Sequence, residues 1–242
     1  MDAIRIENLT KSYRNVLAVD SLSLSVKEGE LFALLGVNGA GKTTTVKMLS
    51  CLTEPTEGDA FLLGKSIRSE SGEVKKFIAV SPQETAIAPA LSVRENLELI
   101  CGVQGFDKAK TKKKISELTD LLSLESVIGR RADKLSGGWQ RRLSIAMALI
   151  SEPKILFLDE PTLGLDVIAR SELWDVIREL KGRVTVILTT HYMEEAESLS
   201  DRIAIMKDGK LIVCDTAEGI KAKTGESSFE QAFIKTVKEA GK

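Results

Sequence analysis

Short apolar runs alternate with stretches of helical periodicity along this chain, a pattern that predicts an α/β fold built on a largely parallel sheet. Leu22-Ser23-Leu24-Ser25-Val26 alternates with period two and predicts a half-exposed strand. Leu31-Phe32-Ala33-Leu34-Leu35 is continuously apolar and predicts a buried one. Further short strands are expected at 77–80, 155–158 and 184–188. Helices are expected after Gly41, with Val46, Met48 and Leu49 turned inward, and over 93–122 with a break near Gly102 and Gly105. Two more are expected at 143–150, stopped before Pro153, and at 167–180. Two apolar runs, 203–206 and 211–213, flank Asp208-Gly209, a strong hairpin signal. A final helix near 229–240 reads as peripheral. The stretch from about 84 to 151 is mainly helical and reads as a lobe inserted into the strand pattern.

Composition adds bounds. With 242 residues, 43% hydrophobic and 29% charged, the chain can bury a sizeable core in one large α/β domain. A net charge of -1 gives no basic excess, so nucleic acid is not expected as a partner. Cys51, Cys101 and Cys214 stand far apart without a CxxC pair and are expected as buried thiols in a reducing compartment. Met1-Asp2-Ala3-Ile4-Arg5 does not lead into an apolar stretch, so no signal peptide is expected. No apolar run reaches the roughly 20 residues of a spanning helix, which would put any membrane channel on another chain. Lys108, Lys110, Lys112, Lys113 and Lys114 read as a solvated helix face.

Two motifs carry chemistry. Residues Gly36, Val37, Asn38, Gly39, Ala40, Gly41, Lys42 and Thr43 match GxxxxGK[ST] between a buried strand and a helix. Glycines let the backbone close around phosphate oxygens, and successive N–H groups and the helix N-terminus face the anion. Lys42 supplies a mobile cation, and the Thr43 hydroxyl suits Mg²⁺; Thr44 adds a phosphate contact. Asp159 and Glu160 follow the apolar run 155–158, where parallel sheets bind ligands. Asp159 suits Mg²⁺, and Glu160 suits a general base that polarises water. A nucleoside triphosphate and Mg²⁺ are the expected ligands, and the resemblance below implies ATP.

Leu135-Ser136-Gly137-Gly138-Trp139-Gln140-Arg141-Arg142, set between these motifs, resembles the LSGGQ signature of ATP-binding cassette (ABC) ATPases. With the phosphate loop, Asp159-Glu160, Gln83 and His191, the chain resembles an ABC transporter nucleotide-binding subunit from Ile4 to about Cys214. The resemblance implies an ABC ATPase fold of the P-loop NTPase class. That fold has a RecA-like mixed or parallel core, an N-terminal antiparallel β subdomain and the inserted helical subdomain. Residues 1–220 would form the ATPase domain and 221–242 a short helical extension.

The resemblance also implies roles. Ser136, Gly137 and Gly138 would close over the ATP of a second subunit in a head-to-tail homodimer. Gln83 would contact Mg²⁺ or the lytic water, and His191 would hold the γ-phosphate, Glu160 and water. Tyr13 would stack on adenine, and Asp166, in a loop that resembles the family's D-loop, would lie at the dimer seam. Trp139 departs from the usual glutamine and offers one donor and no acceptor. The residues after His191 resemble those of exporters whose membrane subunit is of the ABC-2 type. A separate permease is then a partner, docked near 84–99, with this subunit peripheral on the cytoplasmic face of the membrane. The alternative is a soluble non-transport ABC ATPase, an assembly or regulatory scaffold.

Overall fold

The computed structural model describes residues 1–240. The chain opens with two long strands, β1 (Asp2–Tyr13) and β2 (Val16–Lys27), then the short β3 (Leu31–Leu35) and α1 (Lys42–Leu49). β4 (Glu57–Leu62), β5 (Lys65–Ser66), α2 (Ser71–Val74) and β6 (Ile78–Ser81) follow. A helical stretch comes next: α3 (Val93–Val103), α4 (Lys108–Leu121) and α5 (Gly137–Leu149). β7 (Ile155–Asp159), α6 (Val167–Leu180), β8 (Thr185–Thr190) and α7 (Met193–Leu199) return to the strand–helix alternation. The hairpin β9 (Arg202–Lys207) and β10 (Lys210–Asp215) precedes α8 (Ala217–Thr224) and α9 (Phe229–Glu239).

Among the described residues the strands form two sheets. β2-β1-β4-β5 is antiparallel, and β10-β9-β3-β8-β7-β6 is parallel except at its β10 edge. The continuous apolarity of β3 has a direct cause: it is covered on both faces. Phe32 and Leu34 pack with the antiparallel sheet and α1, while Ala33 and Leu35 pack with α7, α8 and α9. β2 keeps its alternation because one face is solvated: Leu22 and Val26 are buried, and Ser23 is exposed. Asp208 (φ 49°) and Gly209 (φ 79°) supply the left-handed pair that the tight β9–β10 turn needs.

The helical stretch is anchored by local signals. Ser92 and Glu95 form a reciprocal capping box on α3, and Asp107 caps α4. Between them the chain turns at Gly105, φ 71°. Lys114 is an exception to the solvated lysine face: its ammonium is largely covered and pairs with Glu117 and Glu152.

Three expectations need correction. The helix expected to begin at 143 begins at Gly137, because tertiary packing overrides the poor helix propensity of two glycines. The last helix is not peripheral: Phe229, Ala232 and Phe233 stand at i, i+3 and i+4 and are buried against the central sheet. Of the cysteines, all free, only Cys101 is fully buried; Cys51 and Cys214 are half-buried. The boundary drawn at 220 falls inside α8. Of the extension 221–242, residues 241 and 242 lie outside the described residues.

Candidate nucleotide site

Parallel pairing gathers the polar residues of interest on one edge. Leu35 pairs with Thr190, and Asp159 pairs with Thr189, so β3, β7 and β8 end side by side. The loop 36–43 leaves β3, Glu160 leaves β7 and His191 leaves β8, all at carboxyl ends, where such sheets bind ligands.

The loop geometry demands its glycines. Gly41 has φ 100°, and a Cβ there would lie 2.5 Å from the Ala18 carbonyl oxygen. Gly41 is also the N-cap of α1 and brings no side-chain cap, so Lys42, Thr43 and Thr44 line the cavity with a helix N-terminus suited to an anion. The Lys42 ammonium is buried. It donates to the carbonyls of Gly36 (2.7 Å) and Val37 (3.3 Å) and lies 3.7 Å from Glu160 Oε1. Burial pushes its pKa down, against the opposing pull of Glu160 and Asp159.

The carboxylates are held from behind. Thr43 Oγ1 donates to Asp159 Oδ1 at 3.2 Å, and Thr189 Oγ1 donates to the same oxygen. Glu160 sits at φ 46°, a left-handed conformation that costs a non-glycine residue about 1–3 kcal/mol. Its N–H donates to Thr189 O (3.1 Å) and Thr189 Oγ1 (3.0 Å), which fixes that bend. The side chain then lies between Lys42 and His191, with His191 Nδ1 2.9 Å from Glu160 Oε2.

Together these groups bound a cavity of about 810 Å³, within the range of small-molecule sites. Val16, Leu17 and Ala18 form an apolar wall, and Gln83, Glu160 and His191 face the loop. Gln83 is exposed at the end of β6, and its backbone is gripped: Arg141 donates to the carbonyls of Pro82 and Gln83, both at 2.6 Å. Tyr13 does not line the cavity. It ends β1, 43% exposed, with the Lys11 ammonium 5.0 Å above its ring. Ser136, Gly137, Gly138 and Asp166 do not line it either. Ser136 is the exposed, extended N-cap of α5, and its hydroxyl makes no cap bond. Asp166 caps α6 by accepting from Ala169 N–H.

The donor set fits Mg²⁺. No cluster of three or more His, Cys, Asp or Glu suited to a metal occurs among the described residues. The Thr43 hydroxyl beside one Asp159 oxygen is the sparse kind of protein contribution that Mg²⁺ accepts, with water and phosphate oxygens completing its shell. Sequence reasoning missed Thr189, which bonds the Asp159 carboxylate and the Glu160 backbone N–H, and Arg141, which holds the Gln83 loop. The adjacent pair Arg141-Arg142, just before the mainly apolar second half of the helix, was the available signal for Arg141.

A family model described as "ABC transporter" matches residues 19–163. The chain is 39% identical to the "Probable multidrug ABC transporter ATP-binding protein YbhF" of Escherichia coli, over 97% of this chain but only 41% of that protein's length. It is 39% identical to the "Doxorubicin resistance ATP-binding protein DrrA" of Mycobacterium tuberculosis, over 94% of this chain and 70% of that protein. Its fold is similar to the ATP-binding cassette MJ0796, solved as a dimer in a post-hydrolysis state with ADP and Pi. The TM-score is 0.78, with 28% identity over 88% of this chain and 98% of that one.

Proposed function

The chain belongs to the ABC transporter family, and from that premise we propose that it is the ATP-binding and ATP-hydrolysing subunit of an exporter. One observation carries the reading: Lys42, Glu160 and His191 converge on a single cavity at the glycine loop, while Ser136 is exposed outside it. The phosphates of ATP lie against the first turn of α1, and Lys42 exchanges a loop carbonyl for β and γ oxygens. Glu160 accepts a proton from the attacking water as its oxygen bonds to the γ-phosphorus. The bond to the β–γ bridging oxygen breaks, and ADP leaves with the electron pair. His191 holds Glu160 in place and donates to the γ-phosphate, and Gln83 reaches the lytic water or the metal. Thr43 and Asp159 would hold Mg²⁺, directly or through water, and bound there it neutralises phosphate charge. The base packs on the Val16–Ala18 wall, with Tyr13 swung over it.

Each chain supplies half of each site. Ser136, Gly137 and Gly138 of a second copy close over the γ-phosphate, and Asp166 lies at the seam; the dimeric state of MJ0796 supports this arrangement. No helix among the described residues is long and apolar enough to cross a membrane. In this reading the transport path lies on a separate permease, which docks near 84–99 and holds this subunit on the cytoplasmic face; the cassette cbiO1, part of the complex cbiONQ, supports such a partner. The likeness to YbhF, a probable multidrug transporter ATP-binding protein, and to DrrA, a doxorubicin resistance ATP-binding protein, supports an exporter. Glu160→Gln tests the chemistry: ATP binding should persist, turnover should fall by about 10²–10⁴-fold, and an ATP-bound dimer should accumulate in gel filtration. Wild-type turnover in that variant would remove Glu160 as the base.

A further inference from the structure

The His191 imidazole contacts more than Glu160. Its ring meets the ring of the next residue, Tyr192, with centroids 4.1 Å apart and planes tilted by 39°. The Arg170 guanidinium lies 4.4 Å over that same Tyr192 ring, where a cation is drawn to the electron-rich face. A contact chain therefore runs from α6 through Tyr192 to the imidazole beside Glu160.

Helix α6 is itself placed to sense a neighbour. It begins at Asp166, and its first residues, Val167 and Ile168, are 77% and 72% exposed. Asp166 and Arg170 are i and i+4, so they share one helix face. One turn further on, Trp174 Nε1 donates to Glu195 Oε1 at 3.1 Å, and Glu195 is wholly buried on α7. Thr162, in the turn after Glu160, Thr190 at the end of β8 and Arg170 also stand beside the Glu195 carboxylate. The contact between α6 and the segment that carries His191 is thus polar and buried.

We infer that Arg170 and Tyr192 are positioning residues that tie the placement of the α6 N-terminus to the orientation of His191. The inference rests on the proposed roles of His191 and Glu160. A second copy that packs against Asp166 and Val167, which stand one turn before Arg170 at i−4 and i−3, presses on the face that carries it. Arg170 then shifts over Tyr192, and Tyr192 turns the adjacent imidazole toward or away from Glu160. Pairing of two chains would in this way set the reactive geometry within each chain as well as close the site between them.

His191 is the only histidine in the sequence, so its imidazole resonances report on this chain of contacts without ambiguity. The test compares Tyr192→Ala, Tyr192→Phe, Arg170→Met and Arg170→Lys in the full chain. ATP turnover is measured together with NMR of the labelled imidazole. Tyr192→Ala and Arg170→Met should each lower kcat by about tenfold or more, as slight misplacement of a reacting group does, with KM for ATP within about twofold. Both should also move the imidazole resonances. Tyr192→Phe, which keeps the ring, should restore kcat and resonances relative to Tyr192→Ala, and Arg170→Lys should restore part of both. Unchanged kcat and unmoved resonances in Tyr192→Ala and Arg170→Met would overturn the inference. So would losses confined to KM, or a Tyr192→Phe no better than Tyr192→Ala. A wild-type chain without ATP turnover would sink the proposed function instead, and the imidazole resonances alone would then decide this inference.

Discussion

Two helix N-termini in this chain follow glycine-bearing motifs, and they are built in opposite ways. At α1 the N-terminus is embedded: Lys42 is buried among the Gly36 and Val37 carbonyls and Glu160, and Asp159 and Thr189 lie behind Thr43. At α5 it is bare: Ser136 and Gly137 are exposed, and the Ser136 hydroxyl makes no cap bond. The first end holds charge, reactive groups and a left-handed Glu160 in a fixed arrangement. The second offers amides and a hydroxyl on a surface. The difference teaches how the two ends could divide the proposed function: the embedded α1 end would carry the chemistry, and the bare α5 end would complete the site of another chain.

The contrast can be broken most sharply at Ser136. Ser136→Arg should leave single-chain ATP affinity within about twofold and cut turnover by about 100-fold, because bulk at the seam holds the reacting groups apart. Equal losses in affinity, read by calorimetry, would erase the distinction between the two ends. Lys42→Met should do the reverse, weakening ATP binding about 10- to 100-fold as charge-assisted hydrogen bonds to phosphate are lost.

Glycine substitutions sharpen the same contrast through stability. Gly41→Ala forces a Cβ to 2.5 Å from the Ala18 carbonyl oxygen at φ 100°, and should lower unfolding stability by about 3 kcal/mol. Gly138→Ala meets the Ala169 Cβ at 3.1 Å, a contact that a slight tilt of α5 on α6 relieves, and should cost about 1 kcal/mol. Denaturant titration ranks the two. The smallest effect is expected from Trp139→Gln. It removes the stack of Arg142 on the Trp139 ring, 4.7 Å apart, worth about 0.5–1 kcal/mol, while Arg142 keeps its bond to Glu172.

How much of this was legible in the sequence depended on whether each segment is dictated by its own pattern. β3, β7 and β8 are buried at every position, so their apolar runs announce them. β1 carries Arg5, Glu7 and Lys11 on an open face and breaks register between Ile6 and Leu9, so no clean alternation survives to be read. β4 and β5 are short, β4 opens on Glu57-Gly58-Asp59, and both depend on pairing, with β1 and with each other. The residues proposed for the nucleotide were legible because loop glycines and strand-end carboxylates occur in fixed local spacing. Thr189, Arg141 and Arg170 were not, because each acts on a segment remote in sequence: on Asp159, on Pro82 and Gln83, and on Tyr192. The helix α9 was misjudged because its many charges hide a narrow stripe of Phe229, Ala232 and Phe233.

The grip of Arg141 on the end of β6 has a bearing on how such a subunit changes over generations. Both of its bonds go to main-chain oxygens, which every amino acid provides. The path of the loop is thereby locked to α5, while its side chains stay unconstrained by that lock. Side chains at and beyond Gln83 can be rewritten without loosening that grip.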